Sequence, residues 1–178
     1  LGGARSGKSR YAQARTEAIS GKLVYIATAQ ALDTEMTDRI ARHRADRNER
    51  WQTFEAPFDL SGAITSAARD ADAILVDCLT LWLSNLILAG ADTEAAGETL
   101  CATIATCRVP IALVANEVGL GIVPDNALAR TFRDAAGRLN QKLAAQAAEV
   151  VLVAAGLPLR LKPGCMAMAP IRLPQLHE

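Results

Sequence analysis

Gly2, Gly7, Lys8 and Ser9 fall in the order G-x-x-x-x-G-K-S within the opening stretch LGGARSGKSR. A loop of this kind surrounds phosphates with backbone N–H groups, while its lysine and hydroxyl serve phosphate oxygens and Mg²⁺. Gly3 and Gly7 would let the backbone turn its amides inward at the start of a helix, where the aligned peptide dipoles also favour an anion. Lys8 would then reach the β- and γ-phosphates, and Ser9 would ligate Mg²⁺. The alternative, a glycine-rich turn ahead of an ordinary helix, fits less well, because the pattern sits where an α/β chain places a phosphate site.

Two further acidic positions end apolar runs. Asp77 closes AILVD, so its carboxylate should emerge at the carboxyl edge of a sheet, where nucleotide sites of this architecture lie. There it could hold Mg²⁺ opposite Ser9, or it could merely cap the helix that follows. Asn116 and Glu117 follow IALVA in the same way. Glu117 could orient a substrate hydroxyl, position water or help a metal, and it could equally fix the VGLG turn through backbone hydrogen bonds.

The remaining chemistry centres on His43. In EMTDRIARHRADR, Arg39, His43 and Arg47 recur at four-residue steps, so one helical face presents an imidazole between two guanidiniums, with Arg42 and Arg44 nearby. Alone, such a run reads as a solvated charged face. Beside a triphosphate it reads differently: a neutral imidazole is a competent nucleophile toward phosphorus. Flanking arginines would depress its pKa and neutralise the phosphates it attacks. His177 is expected to be inert.

The elements that must position these groups follow from the pattern of apolar runs. Short β-branched stretches at 23–27, 73–76, 111–115 and 150–153 alternate with segments long enough for helical crossovers, which is the signature of a parallel sheet covered by helices. Helices are expected over 8–19, 34–47, 58–68, 79–88, 94–108 and 126–148. Asp33 is placed to cap the second, and Gly21, Gly90 and Gly156 punctuate element ends. A phosphate loop normally follows a strand, so a first strand is expected ahead of Gly2. One domain over 1–162 and a loosely attached tail over 163–178 complete the expected organisation.

Composition narrows the function classes. The chain has 178 residues, 51% of them hydrophobic, and 19 basic residues balance 19 acidic ones. One core of ordinary size can therefore be buried, and no broad cationic field is available for nucleic acid or an anionic membrane. Cys78, Cys101, Cys107 and Cys165 form no C-x-x-C pair, which argues against a metal cage, and a reducing cytoplasm is the expected setting. The apolar stretches fall short of the ~20 residues that span a bilayer.

With these blocks in order, the sequence resembles the bifunctional adenosylcobinamide kinase / adenosylcobinamide-phosphate guanylyltransferase family of cobalamin biosynthesis. GGARSGKSR, YIATAQ, DTEMTDRIARHR, WQTFEAP, DCLTLWLSNL, NEVGLGIVP and RTFRDAAGRLNQ carry the resemblance, which covers nearly everything before the tail. It implies an α/β fold: a single RecA-like P-loop domain with a mostly parallel sheet flanked by helices, assembled as a homotrimer. It also implies two reactions. ATP or GTP phosphorylates adenosylcobinamide. His43 then attacks the α-phosphorus of GTP, releases pyrophosphate and passes GMP to adenosylcobinamide phosphate.

The resemblance further implies a set of nucleotide contacts: Gly2, Gly3, Ala4, Arg5, Ser6, Gly7, Lys8 and Ser9, then Ala27, Thr28 and Ala29. Arg44, Ala45, Asp46 and Arg47 beside the nucleophile, Glu55 and Asp77 complete it, with Mg²⁺ at Ser9 and Asp77 and catalysis at His43 and Lys8. Glu55 on its residue type alone reads as a surface position. Two rival readings fit part of the sequence: a single-activity small-molecule kinase with His43 in a phosphate lid, and a RecA-like DNA-binding ATPase, which zero net charge disfavours. A switch GTPase is disfavoured because no N-K-x-D follows the strands.

Overall fold

The computed structural model describes residues 1–30 and 48–163. Four strands, β1 (Leu23–Ala27), β2 (Trp51–Glu55), β3 (Ala73–Asp77) and β4 (Ile111–Val114), form one parallel sheet in the order β2-β1-β3-β4. Between and after them run α1 (Lys8–Glu17), α2 (Leu60–Ala67), α3 (Leu79–Leu88), α4 (Thr93–Thr106) and α5 (Ala127–Gln146).

β1 is buried along its whole length, as is β3 up to Asp77, which explains their unbroken apolar sequences. Alternation then divides the side chains between two faces. Tyr25, Ala27, Leu75 and Val114 face α1 and pack with its Ala12. Val24, Ile26, Ile74 and Val76 join Leu60 and Ile64 of α2, Trp82 and Leu86 of α3, Leu100 of α4, and Leu139 and Leu143 of α5. Ile26, Leu60, Ile64 and Ile74 are 0% exposed, and each such side chain contributes about 1.5–3 kcal/mol of transfer free energy. This is the expected α/β fold, a parallel sheet with helices on both faces, consistent with a P-loop NTPase.

Helix starts are chemically marked on three of the five. Asp59 accepts from the Gly62 N–H, Asp92 from those of Glu94 and Ala95, and Asn126 from that of Ala129. The two helices that begin at the carboxyl edge of the sheet lack this: Gly7 before α1 and Cys78 before α3 provide no side-chain cap. Asp77 therefore does not cap α3, which disposes of the structural alternative for that residue. The Asp77–Cys78 peptide is cis. At the other end of α1, the Arg50 guanidinium donates to the carbonyls of Glu17, Ile19 and Gly21 and so ends the helix at Glu17, short of the expected residue 19.

The expected helix over 34–47, with Asp33 at its start, lies outside the described residues. The run 150–153 lies in β5 (Val150–Ala154), which runs parallel to Leu1 on one side and pairs antiparallel with β6 (Leu157–Lys162) on the other. The hairpin is closed by the two-residue turn Ala155–Gly156, whose φ values of 51° and 80° match the left-handed turns that close tight hairpins. Neither β6 nor the half-polar edge strand β2 stands out as a β-branched run.

The hairpin meets the sheet through the first two residues. The Leu1 nitrogen donates to the Val151 carbonyl and the Val153 N–H to the Leu1 carbonyl, both at 2.8 Å. Gly2 forms a parallel bridge with Asn116, and the Glu117 N–H donates to the Gly2 carbonyl at 3.1 Å.

Candidate active site

The opening glycines form a compact loop at the N-terminus of α1. Gly2 cannot carry a side chain: a Cβ there would stand 2.4 Å from the Val153 carbonyl oxygen and 2.5 Å from Ser6 Oγ. Gly7 has φ 94° and Arg5 φ 54°, so the chain turns through left-handed conformations on either side of Ser6. Gly3 is different, since nothing stands within 4 Å of a Cβ built on it. The glycines that the loop requires are thus Gly2 and Gly7, which corrects the expectation for Gly3. The Ser6 N–H donates to the Gly3 carbonyl at 3.3 Å, and the Gly156 N–H of the hairpin turn donates to the Ser6 carbonyl at 2.9 Å, tying the loop to β5 and β6.

Lys8 folds back over the loop and donates from Nζ to the Gly3 carbonyl at 3.1 Å. With no side-chain cap at Gly7, the first N–H groups of α1 are left for an external acceptor, and the helix dipole adds positive potential at the same place. An ammonium and a set of amides converging on one concavity can bind a phosphate group.

The sheet places the acidic residues next to this loop. Register pairs Glu55 with Ala27, Ala27 with Asp77, and Asp77 with Val114, so these residues form one row across four strands on the face covered by α1. Adjacent strands lie about 4.8 Å apart, which sets Glu55 and Asp77 roughly 10 Å from each other across Ala27. A cavity of about 410 Å³ opens between this face and α1, lined by Ser9, Arg10, Gln13, Tyr25, Leu75 and Asp77 among others. Ser9 and Asp77, far apart in sequence, therefore share one cavity. The Asp77 carboxylate makes no hydrogen bond or ion pair among the described residues.

α3 holds the loops that follow β1 and β2. The Asn85 side-chain amide donates to the carbonyls of Thr28 at 2.9 Å and Pro57 at 3.0 Å, and Trp82 Nε1 donates to the Phe58 carbonyl at 2.8 Å. Thr28 is fully buried. Its hydroxyl donates to the Cys78 carbonyl at 2.6 Å and accepts the Cys78 N–H at 2.9 Å. Burial pushes the Cys78 thiol above its ordinary range, and the neighbouring Asp77 carboxylate adds to the shift.

Glu117 is committed to its own turn, where Oε1 accepts the Gly119 N–H at 2.6 Å. Of the remaining expected contacts, Ala27 lies in the row just described and Ala29 is half-buried one residue beyond Thr28, while Ala4 is exposed in the loop. His43, Arg44, Ala45, Asp46 and Arg47 lie outside the described residues.

The model of the family described as "Cobinamide kinase / cobinamide phosphate guanyltransferase" matches residues 1–161. The chain belongs to this family. The chain is therefore a bifunctional enzyme of cobalamin biosynthesis, with two transferase activities and an α/β fold. It is similar to "Bifunctional adenosylcobalamin biosynthesis protein CobP" of Pseudomonas aeruginosa, 48% identical over 165 residues, which is 91% of this chain and 95% of the relative. It is also similar to the proteins named "Bifunctional adenosylcobalamin biosynthesis protein CobU" of Salmonella typhimurium, at 45% identity, and of Escherichia coli, at 42%. Each of those matches covers 90% of this chain and 97% of the relative.

Asn85 and Trp82 shape the site without any sequence signal, since in an apolar helix they read as breaks in a core face. Arg50, which ends α1 at its far end, reads as one more surface cation. Their roles depend on carbonyls contributed by loops that only the folded chain brings near.

Proposed function

We propose that the enzyme phosphorylates adenosylcobinamide with ATP or GTP at the phosphate loop, and that His43 then carries GMP from GTP to adenosylcobinamide phosphate. The observation that carries the reading is the cavity shared by Ser9 and Asp77, whose carboxylate has no partner among the described residues, beside the loop crossed by Lys8. In the kinase step, Lys8 and the α1 amides hold the triphosphate and offset charge on the transferred group. The cobinamide hydroxyl attacks the γ-phosphorus and the nucleoside diphosphate leaves. In the second step, an imidazole nitrogen of His43 bonds to the α-phosphorus as pyrophosphate departs. The phosphate of adenosylcobinamide phosphate next attacks that phosphorus, frees the imidazole and yields adenosyl-GDP-cobinamide.

Mg²⁺ fits the donors present. A hydroxyl and a carboxylate are hard oxygen ligands, and this ion commonly takes one or two carboxylates plus substrate phosphates. Ser9 and Asp77 would hold it, and it would supply charge neutralisation on the phosphates. Glu55, in the row with Asp77, would read a guanine edge. The reading extends to a homotrimer working in the cytoplasm, with no nucleic-acid partner. Among the described residues, no helix is long and apolar enough to cross a membrane.

The test is to incubate the enzyme with Mg²⁺ and GTP labelled at the α- or the γ-phosphate, denature it and measure retained label. Retention of α-label alone, in an acid-labile bond, is expected. His43→Ala should abolish it while sparing phosphorylation of adenosylcobinamide, and Lys8→Ala should impair both steps. Retained γ-label, or equal loss of both activities in a folded His43→Ala enzyme, would overturn the assignment.

A further inference from the structure

We propose that Asn116 reads the terminal phosphate: its side-chain amide donates a hydrogen bond to the γ-phosphate of a bound nucleoside triphosphate, so that a triphosphate is held more tightly than a diphosphate. This rests on the phosphate-loop reading above.

The position follows from the strand. Val114 pairs with Asp77 on the face covered by α1, and Ala115 packs into the opposite core. Alternation returns Asn116 to the α1 face, one step beyond the Asp77 row. The bridge to Gly2 fixes it at the entrance of the phosphate loop. Its main chain is held independently, since the N–H donates to Thr80 Oγ1 at 2.7 Å and the carbonyl accepts from Asn140 Nδ2 at 3.4 Å.

The side chain is held by nothing. Oδ1 is shut away from solvent without a hydrogen-bond partner, and the amide nitrogen has no bond among the described residues. Among the described residues one other buried side-chain atom is in the same state, Ser6 Oγ, and it too lies against Gly2. Two orphaned polar groups beside one glycine of a phosphate loop are costly in a folded protein unless a ligand or water completes them. A half-turn about the last torsion exchanges the amide's two ends, so the NH₂ group can take the place of the orphaned oxygen and donate to a bound phosphate, while the oxygen accepts from water. An amide suits this place better than a carboxylate, which a phosphate would repel.

The test measures Kd for GDP and for the β,γ-imido analogue of GTP, both with Mg²⁺, in a His43→Ala background that blocks guanylyl transfer. With Asn116→Ala added, the analogue should bind about tenfold more weakly, the worth of one hydrogen bond to a charged group, while GDP changes less than about twofold. Because Thr80 and Asn140 grip the main chain, the substitution leaves the strand end anchored. Asn116→Asp should weaken the analogue further and recover part of the loss as pH falls through the carboxylate range, with GDP again little affected. Equal weakening of both nucleotides, or no change in either, overturns the proposal. Failure of both nucleotides to bind the His43→Ala parent would instead sink the phosphate-loop reading beneath it.

Discussion

One hydroxyl, that of Thr28, serves both main-chain groups of Cys78, donating to the carbonyl and accepting from the N–H. It thereby fastens the end of β1 to the turn between β3 and α3, which is the floor under Asp77. Thr28→Val keeps the shape and removes both bonds, leaving the buried Cys78 N–H unpaired while its carbonyl keeps the Trp82 N–H at 3.2 Å. A loss of about 1–3 kcal/mol is expected in urea unfolding, with Thr28→Ser retaining most of the stability. Equal stability of the valine variant and the parent would show that the pair does not hold this edge.

Asp77→Asn separates folding from chemistry. Since the carboxylate has no partner among the described residues, the amide should change stability by no more than about 0.5 kcal/mol. Both transferase activities should fall at least about 100-fold and require more Mg²⁺, because a ligand charge is lost. A stable variant with normal metal dependence would remove Asp77 from the site.

The loop glycines should differ sharply. Gly2→Ala drives a methyl into the Val153 carbonyl and Ser6, so destabilisation of more than about 2 kcal/mol and loss of both activities are expected. Gly3→Ala meets open space and should leave the fold within about 1 kcal/mol of the parent. Thermal midpoints of the two variants decide this, and similar midpoints would contradict the loop geometry.

Stability should depend on the Cys78 thiol only at alkaline pH. Its folded pKa is raised by burial and by Asp77, so above the ordinary thiol range of about 8.5 the unfolded chain gives up a proton that the native protein keeps. Native protein then binds more protons, and stability falls as pH rises. Below that range the thiol contributes no slope. Urea midpoints between about pH 7.5 and 9.5 should drop less for Cys78→Ala than for the parent, and parallel curves would refute the linkage.

Local composition determined the phosphate loop, the buried strands and most helices, because each is set by short-range rules: glycines where a loop must turn, continuous apolar runs where a strand is covered on both faces, and apolar periodicity for helices. Asp77 was legible for the same reason, as the polar end of a buried run. Tertiary structure alone decided that Ser9 and Asp77 share a cavity, that Glu55 falls into register with Ala27, and that Glu117 folds onto its own turn. It also decided that β5 joins a hairpin, and that Asn85 and Arg50 hold carbonyls from distant loops. Register and carbonyl placement come from pairing between segments far apart in the chain, and a side chain that answers a main-chain group carries no mark of its partner in the sequence.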